Sequence, residues 1–514
     1  MLRTAPRLVP ALALLMAGVL LAPSSSAQGG AERAARPLRS NIAPDRLDRL
    51  HRNATDDAPR TAAQTQLGAL TPPTVTDSFD GIANLSPFAS PSDATGAVGP
   101  DFFVAGVNVH VQLYDRTGTS VLGPLRLKTL FNDLPNLDET DPKIVYDPYD
   151  DRFVLVFLLF KPDFSVGNVV IVVIPGLTAS NKNTWCHWVY DGDQISGDGA
   201  QFADYPGLGF TSDRVTVTTN NFPTVGPGFD YVQIMSFKKT ELYEQDCNPK
   251  PQPKIIGGNK TDVPDGSPAF TIQPAETAGG VNPKVQYMAS FDFNGTRKED
   301  VVLWRLKFVK GKAKLAKTAM PVGQVNIPPF GTQCDGTADI DTKWDTGDTR
   351  MINAYYDVDA GMLYTAHAVA HQFGSGATES AARWYEVKPK ATIDNSFVKR
   401  KAFVGREDYD VGWPSVATDA GGVLFVNYSE ASDAFNECLS VYAASVQPGD
   451  TVSASTQVFA GVSQYDAFPG PDRWGDYSAI NRDPADLTGA TMAIFNAYGL
   501  TTALWQQLVA TVTA

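Results

Sequence analysis

Residues Asp472–Pro484 read DRWGDYSAINRDP: a dense polar cluster running into a short apolar alternation that ends at an acid and a proline. Proline supplies no backbone donor, so a strand opened near Asp476 stops at Asp483-Pro484. The same design recurs along the chain. It reads Asp141-Pro-Lys-Ile-Val-Tyr-Asp147, Asp204-Tyr-Pro-Gly-Leu-Gly-Phe-Thr-Ser-Asp213, Asp348-Thr-Arg-Met-Ile-Asn-Ala-Tyr-Tyr-Asp357 and Gly412-Trp-Pro-Ser-Val-Ala-Thr-Asp419, with weaker copies at Asp93-Ala-Thr-Gly-Ala-Val-Gly-Pro-Asp101 and Gly266-Ser-Pro-Ala-Phe-Thr-Ile-Gln-Pro274. Each copy leads into a turn and a β-rich run such as Arg152 to Phe160 or Val423 to Tyr428, and a third strand usually follows. Period 3.6 is absent over any long stretch, so the chain is expected to be all-β.

Seven such units, each a meander of short strands, predict a seven-bladed β-propeller rather than a sandwich, because one blade cannot bury both faces until neighbours stack on it. The last unit offers three strands. The isolated run Thr74 to Phe79 is expected to supply the fourth and close the ring, removing an exposed edge.

The amino-terminal residues MLRTAPRLVPALALLMAGVLLAPSSSA place Arg3 and Arg7 before an apolar run and a small-residue exit, the layout of a secretory signal over residues 1–27. Residues 28–72 are rich in Ala, Arg, Gln, Asp and Pro and read as a linker or pro-segment, leaving 73–514 as the propeller. A formal charge of −14, from which the signal removes only Arg, disfavours nucleic acid and anionic membranes as partners. No later run has the ~20 apolar residues of a membrane span. A secreted or periplasmic monomer is the expectation. In that compartment the even set Cys186, Cys247, Cys334 and Cys438 predicts two disulfides. Their places in neighbouring units pair Cys186 with Cys247 and Cys334 with Cys438.

The residues Asp93 to Pro100 with Asn108 and Tyr114-Asp-Arg-Thr-Gly118, Asp141 to Phe153, Asp345 to Asn353 and Arg473-Trp-Gly-Asp-Tyr-Ser478 carry a resemblance to exported bacterial β-propeller proteins, loosely sialidase-like, over residues 75–514. Sialidases repeat Ser-x-Asp-x-Gly-x-x-Trp, whereas Ser196-Gly-Asp-Gly199 has a different spacing. The resemblance therefore implies a fold and an exported setting, not a reaction.

Because first strands line the axis of a propeller, Asp93, Asp141, Asp204, Asp348 and Asp476 are expected to ring one channel mouth. Such carboxylates need backbone N–H groups, cations such as Lys143, Arg350 and Arg473, or a hard metal ion such as Ca²⁺. The acid-rich loop Asp191, Asp193 and Asp198 and the set Asp339, Asp341, Asp345 and Asp348 are further calcium candidates or solvated turns. Trp413, Trp474, Tyr477, Tyr205 and Tyr149 offer either a platform for sugar rings beside Arg350 and Arg473 or packing between blades. His367-Ala-Val-Ala-His371 has zinc-protease spacing on what reads as a strand. Four residues of strand separate the rings by roughly 13 Å, too far for one zinc. Asp345-Thr-Gly347 has no second copy to make an aspartic-protease pair, and the chain has no nucleophile elbow or phosphate loop.

The reading converges on an exported protein that binds a glycan or another extracellular or cell-surface ligand at the acid-rich mouth. The alternatives are a hydrolase or lyase acting on polysaccharide, and a structural module of the cell envelope.

Overall fold

The computed structural model describes residues 72–514 apart from 85–89, 196–200, 226–227, 281–283, 293–298, 335–339 and 452. The expected signal and most of the linker, with Asp198 and Asp339, lie outside the described residues, as does the side chain of Asp341. The described chain is nearly all β, and its one α-helix is the single turn Lys239–Leu242. No helix among the described residues is long and apolar enough to cross a membrane.

The strands form consecutive antiparallel meanders of four. Their first strands are Thr95–Val98, Asp138–Asp147, Gln201–Phe210, Gln273–Ala278, Asn353–Asp357, Asp410–Thr418 and Ala479–Arg482. Each touches the next, and the last touches the first. Two meanders merge into one eight-stranded sheet where Gln273–Ala278 runs parallel to Asn353–Asp357. The middle strands, such as Arg152–Phe160, are apolar at almost every position and buried throughout, as strands covered on both faces must be. The outermost strands, such as Lys312–Gly323, are half exposed and carry lysines, which protects an open edge.

The amino-terminal strand Thr74–Ala83 pairs antiparallel with Leu504–Thr513, Phe79 lying opposite Val509. Phe79 also packs on Phe103 and Tyr114 of the first meander, ring centroids 5.5 and 5.1 Å away, so this strand contacts both the first and the last meander. The disulfides are Cys186–Cys247 and Cys334–Cys438.

One element departs from the sequence reading. The first strand of the fourth unit was expected to start at Gly266, but it begins at Gln273. Asp265 caps a turn by accepting the Ser267 N–H at 2.9 Å, and Gly266 has φ +93°, so 262–268 folds on itself first. The shift brings Glu276 into an axial strand.

Candidate functional site: an acid ring with three cations

A left-handed residue recurs at the start of the first strands: Asp93, Asp141, Tyr205, Thr271, Thr349 and Trp413 all have φ between 42° and 72°. Three of them precede prolines, in Asp141-Pro142, Tyr205-Pro206 and Trp413-Pro414, and there the strand pairing skips two residues. Such a bulge tolerates the missing proline donor and turns the preceding side chain toward the axis. Positive φ is easy for Asp but strained for Tyr and Trp, and strain of this kind collects where structure serves a site.

The turned residues bond from unit to unit. Asp93 accepts the Asp476 N–H at 2.8 Å, and Asp141 accepts the Tyr205 N–H at 3.2 Å and the Thr140 hydroxyl at 2.7 Å. Tyr205 donates its hydroxyl to the Asp476 carbonyl at 2.9 Å. Gly475 is needed for the close approach between first and last units, since a Cβ there would lie 2.9 Å from the Ser92 hydroxyl.

Three cations enter the ring. Arg473 binds Asp476 at 2.8 Å, and Arg350 grips Asp348 in a two-point bond at 2.7 and 2.5 Å while lying 4.4 Å over the Tyr205 ring. The Lys143 ammonium sits 3.5 Å over the Tyr477 ring. Electrostatics divides the acids. Burial, with the charges of Asp476 and Asp141, pushes Asp93 well above the usual carboxylate range, and burial with Asp141 does the same to Asp204. Asp141 is raised by burial and by Asp476. Burial would raise Asp476 too, but Arg473, Arg350 and Lys143 hold it below the ordinary value. The ring thus sets Asp476 below the ordinary value beside Asp93, Asp141 and Asp204 raised above it, the kind of divergence by which a site separates acid from base.

A small cavity opens beside this cluster, with an empty volume of about 220 Å³, lined by Asp345, Gly347, Asp348, Arg350, Trp413, Arg473 and Asp476. Of the five expected acids, Asp348 and Asp476 line the cavity, whereas Asp93, Asp141 and Asp204 do not. Asp345 also lines it, pushed up to about 6 by burial. The sequence reading offers Asp345 as a calcium candidate or a turn residue and does not place it beside Arg473 and Asp476. The turn is there, with the Gly347 N–H donated to Asp345 at 2.9 Å, and it presents the acid.

Trp413, Trp474, Tyr205 and Tyr477 are buried, and Tyr149 is half-buried. Trp474 donates its indole N–H to the Ser429 hydroxyl at 2.9 Å, Trp413 donates to the Asp345 carbonyl at 2.8 Å, and both pack in one apolar cluster with Tyr205 and Tyr477. Trp413 alone of these four reaches the cavity wall. Tyr149 donates to the Gly279 carbonyl away from the ring. Asp191 accepts the Asp193 N–H at 2.9 Å, and buried Asp193 accepts from Ile195 at 3.2 Å, a turn pattern. Among the described residues no three His, Cys, Asp or Glu side chains are placed to share a metal ion. His367 and His371 lie on the strand Met362–His371. His367 donates to the Thr349 carbonyl at 2.6 Å and accepts from the Tyr385 hydroxyl at 2.9 Å, neutral because burial lowers it to about 3.

No protein-family model and no curated protein matches this chain. Solved structures do. An α-L-arabinanase of Penicillium chrysogenum, complexed with arabinobiose, is similar at 11% identity over 73% of this chain and 94% of its own, with a TM-score of 0.35. The GH93 α-L-arabinofuranosidase of Fusarium graminearum, also with arabinobiose, gives 8% over 82% and 92%, TM-score 0.35. The hemagglutinin-neuraminidase of parainfluenza virus 5 gives 9% over 72% and 91%, TM-score 0.39.

Proposed function

We propose that this protein is an exported seven-bladed propeller, closed by its amino-terminal strand, that binds the end of a glycan in the cavity beside Arg473 and Asp476. The observation that carries the reading is the composition of that cavity: two arginines and three acids converge on it. Sugar hydroxyls both donate and accept. A carboxylate takes the hydroxyl proton, a guanidinium donates to the hydroxyl oxygen, and adjacent pairs of the two fix vicinal hydroxyls by charge-assisted bonds. The cavity is small, so the reading places only the hydroxyl edge of a terminal residue against Arg473 and Asp476, with the remainder of the chain in solvent.

The test is a glycan and polysaccharide array, run with and without chelator, on the wild type and Arg473→Ala. The reading expects selective binding that Arg473→Ala abolishes while the unfolding temperature stays close to wild type. Equal array profiles for the two proteins refute it.

One further reading has its own support. Asp345, raised to about 6, and Asp476, held ionised, face the same cavity, the pairing of acid and carboxylate that glycoside hydrolysis uses. On this reading Asp345 protonates the leaving oxygen and Asp476 acts on the sugar as carboxylate. Reducing-sugar release from the array hits separates it from binding alone.

A further inference from the structure

Beneath the acid ring a second cavity lies on the axis, with an empty volume of about 390 Å³ and walls drawn from the first strands. It shares no lining residue with the mouth cavity. Most polar groups in its walls are spent on the fold. The Asn353 amide donates to the Val416 carbonyl at 2.9 Å and accepts the Val416 N–H at 3.0 Å. Ser478 donates to the Trp413 carbonyl at 2.8 Å, and Thr95 accepts the Ile144 N–H at 3.3 Å.

Three groups are left. Lys143 has its ammonium over the Tyr477 ring and forms no ion pair within 4.0 Å among the described residues. Gln273 is 3% exposed, and its amide nitrogen has no hydrogen-bond partner among the described residues. Glu276 accepts from the Asn481 amide at 3.1 Å, and burial raises it to about 8, so at neutral pH it carries a proton to donate. A buried amide donor without an acceptor costs ~1–3 kcal/mol, and here it sits beside two other donors in a cavity partly walled by Leu208 and Ile352.

We propose that this axial cavity is a second binding site, for a small aliphatic carboxylate held by the Lys143 ammonium and the Gln273 amide. A single negative charge with two acceptor oxygens matches these donors, and the apolar wall takes the hydrocarbon part. A dianion such as phosphate fits worse, because the ionised Asp476 stands close enough to act on Lys143. The groups facing that amine are Asp141, Asp93, Glu276 and Asp476, with the Tyr205 and Tyr477 rings. Burial lowers Lys143 to about 7, so a bound anion that stabilises the ammonium is taken up together with a proton.

The experiment is a fluorine NMR titration with trifluoroacetate, with propionate and inorganic phosphate as competitors, and calorimetry of propionate binding in buffers of different ionisation enthalpy. One saturable site is expected, displaced by propionate but not by phosphate, with net proton uptake. Lys143→Met and Gln273→Leu should each weaken it about tenfold or more, the loss of one charge-assisted or buried hydrogen bond, and Arg473→Ala should not. If Lys143→Met does not fold, Gln273→Leu decides. Absence of a saturable site, binding that survives these variants, or binding lost in Arg473→Ala overturns the proposal. None of these outcomes bears on glycan binding at the mouth, which the array tests separately.

Discussion

The Asp93 carboxylate accepts the backbone N–H of Asp476 across 383 residues at 2.8 Å, joining the first and last units at the axis. Asp93 is 1% exposed and burial pushes its carboxyl well above the usual range, so the bond is a buried one. Asp93→Ala orphans that N–H and places alanine at φ 42°. It should cost roughly 1–3 kcal/mol of stability, while Asp93→Asn, which keeps an acceptor and tolerates positive φ, should cost clearly less. Denaturant unfolding of the two variants measures this, and equal stabilities would remove the bond from the account.

Asp476→Ala and Arg473→Ala should separate in the same assay. Asp476 is the ionised centre of the ring and its alanine variant leaves Arg473 buried without its partner, whereas Arg473→Ala leaves a carboxylate that Arg350 and Lys143 still stabilise. The melting temperature should fall further for Asp476→Ala. The reverse order would mean that Arg473 is structural and unsuited to a ligand role.

Asp345→Asn distinguishes binding from hydrolysis. Asparagine keeps the oxygen that accepts the Gly347 N–H but cannot deliver a proton. Glycan affinity should change little, and any hydrolysis should fall by ~10²-fold or more. Retention of full turnover would exclude Asp345 as the acid.

Glu276 gives a pH signature. Its carboxyl is at about 8 in the fold against 4.5 for the free group, so between those values the folded chain keeps a proton that the unfolded chain has lost. Stability from this group is complete below pH ~4.5 and declines as pH rises to about 8. Lys143 has the opposite sign over about 7 to 10.5. Glu276→Gln should therefore flatten the loss of melting temperature between pH 5 and 6, below the range in which folded Lys143 titrates. An unchanged pH profile would mean that Glu276 is ionised in the fold.

Reduction of both disulfides should destabilise the protein more than any of these single substitutions. The bridges close segments of 61 and 104 residues, and each is expected to contribute about 2–4 kcal/mol by restricting the unfolded chain. Cys334→Ser with Cys438→Ser tests the longer one. Deleting residues 74–83 should instead bare the edge of Leu504–Thr513 and cause self-association, visible by light scattering. A monomeric truncated protein would show that the edge is protected in another way.

The repeated acid before an apolar alternation was legible because strand periodicity and proline placement are local, and so the nearly all-β chain could be read in advance. The fourth unit was misplaced because Asp265 and Gly266 build a turn inside an apolar run. Asp345 was read only as a calcium candidate or a turn residue, and Glu276 was not singled out, for a related reason: neither stands in the repeated motif. The aromatic residues around the ring could be given either role from sequence, since Trp413, Trp474 and Tyr477 look the same whether they face solvent or a neighbouring sheet.

What the sequence determined by itself was the all-β chain, its repeat and the even cysteine count, all of which follow from patterns a few residues long. Only the tertiary structure decided which carboxylates are ionised. That depends on distances between units far apart in the chain: Asp93, Asp141 and Asp476 share one motif, yet the ion pair with Arg473 holds Asp476 below the ordinary value, while burial outweighs the same guanidinium at Asp93 and Asp141 and raises both. Burial raises the cost of every charge at the axis, and the few cations folded into reach determine which acid keeps its charge.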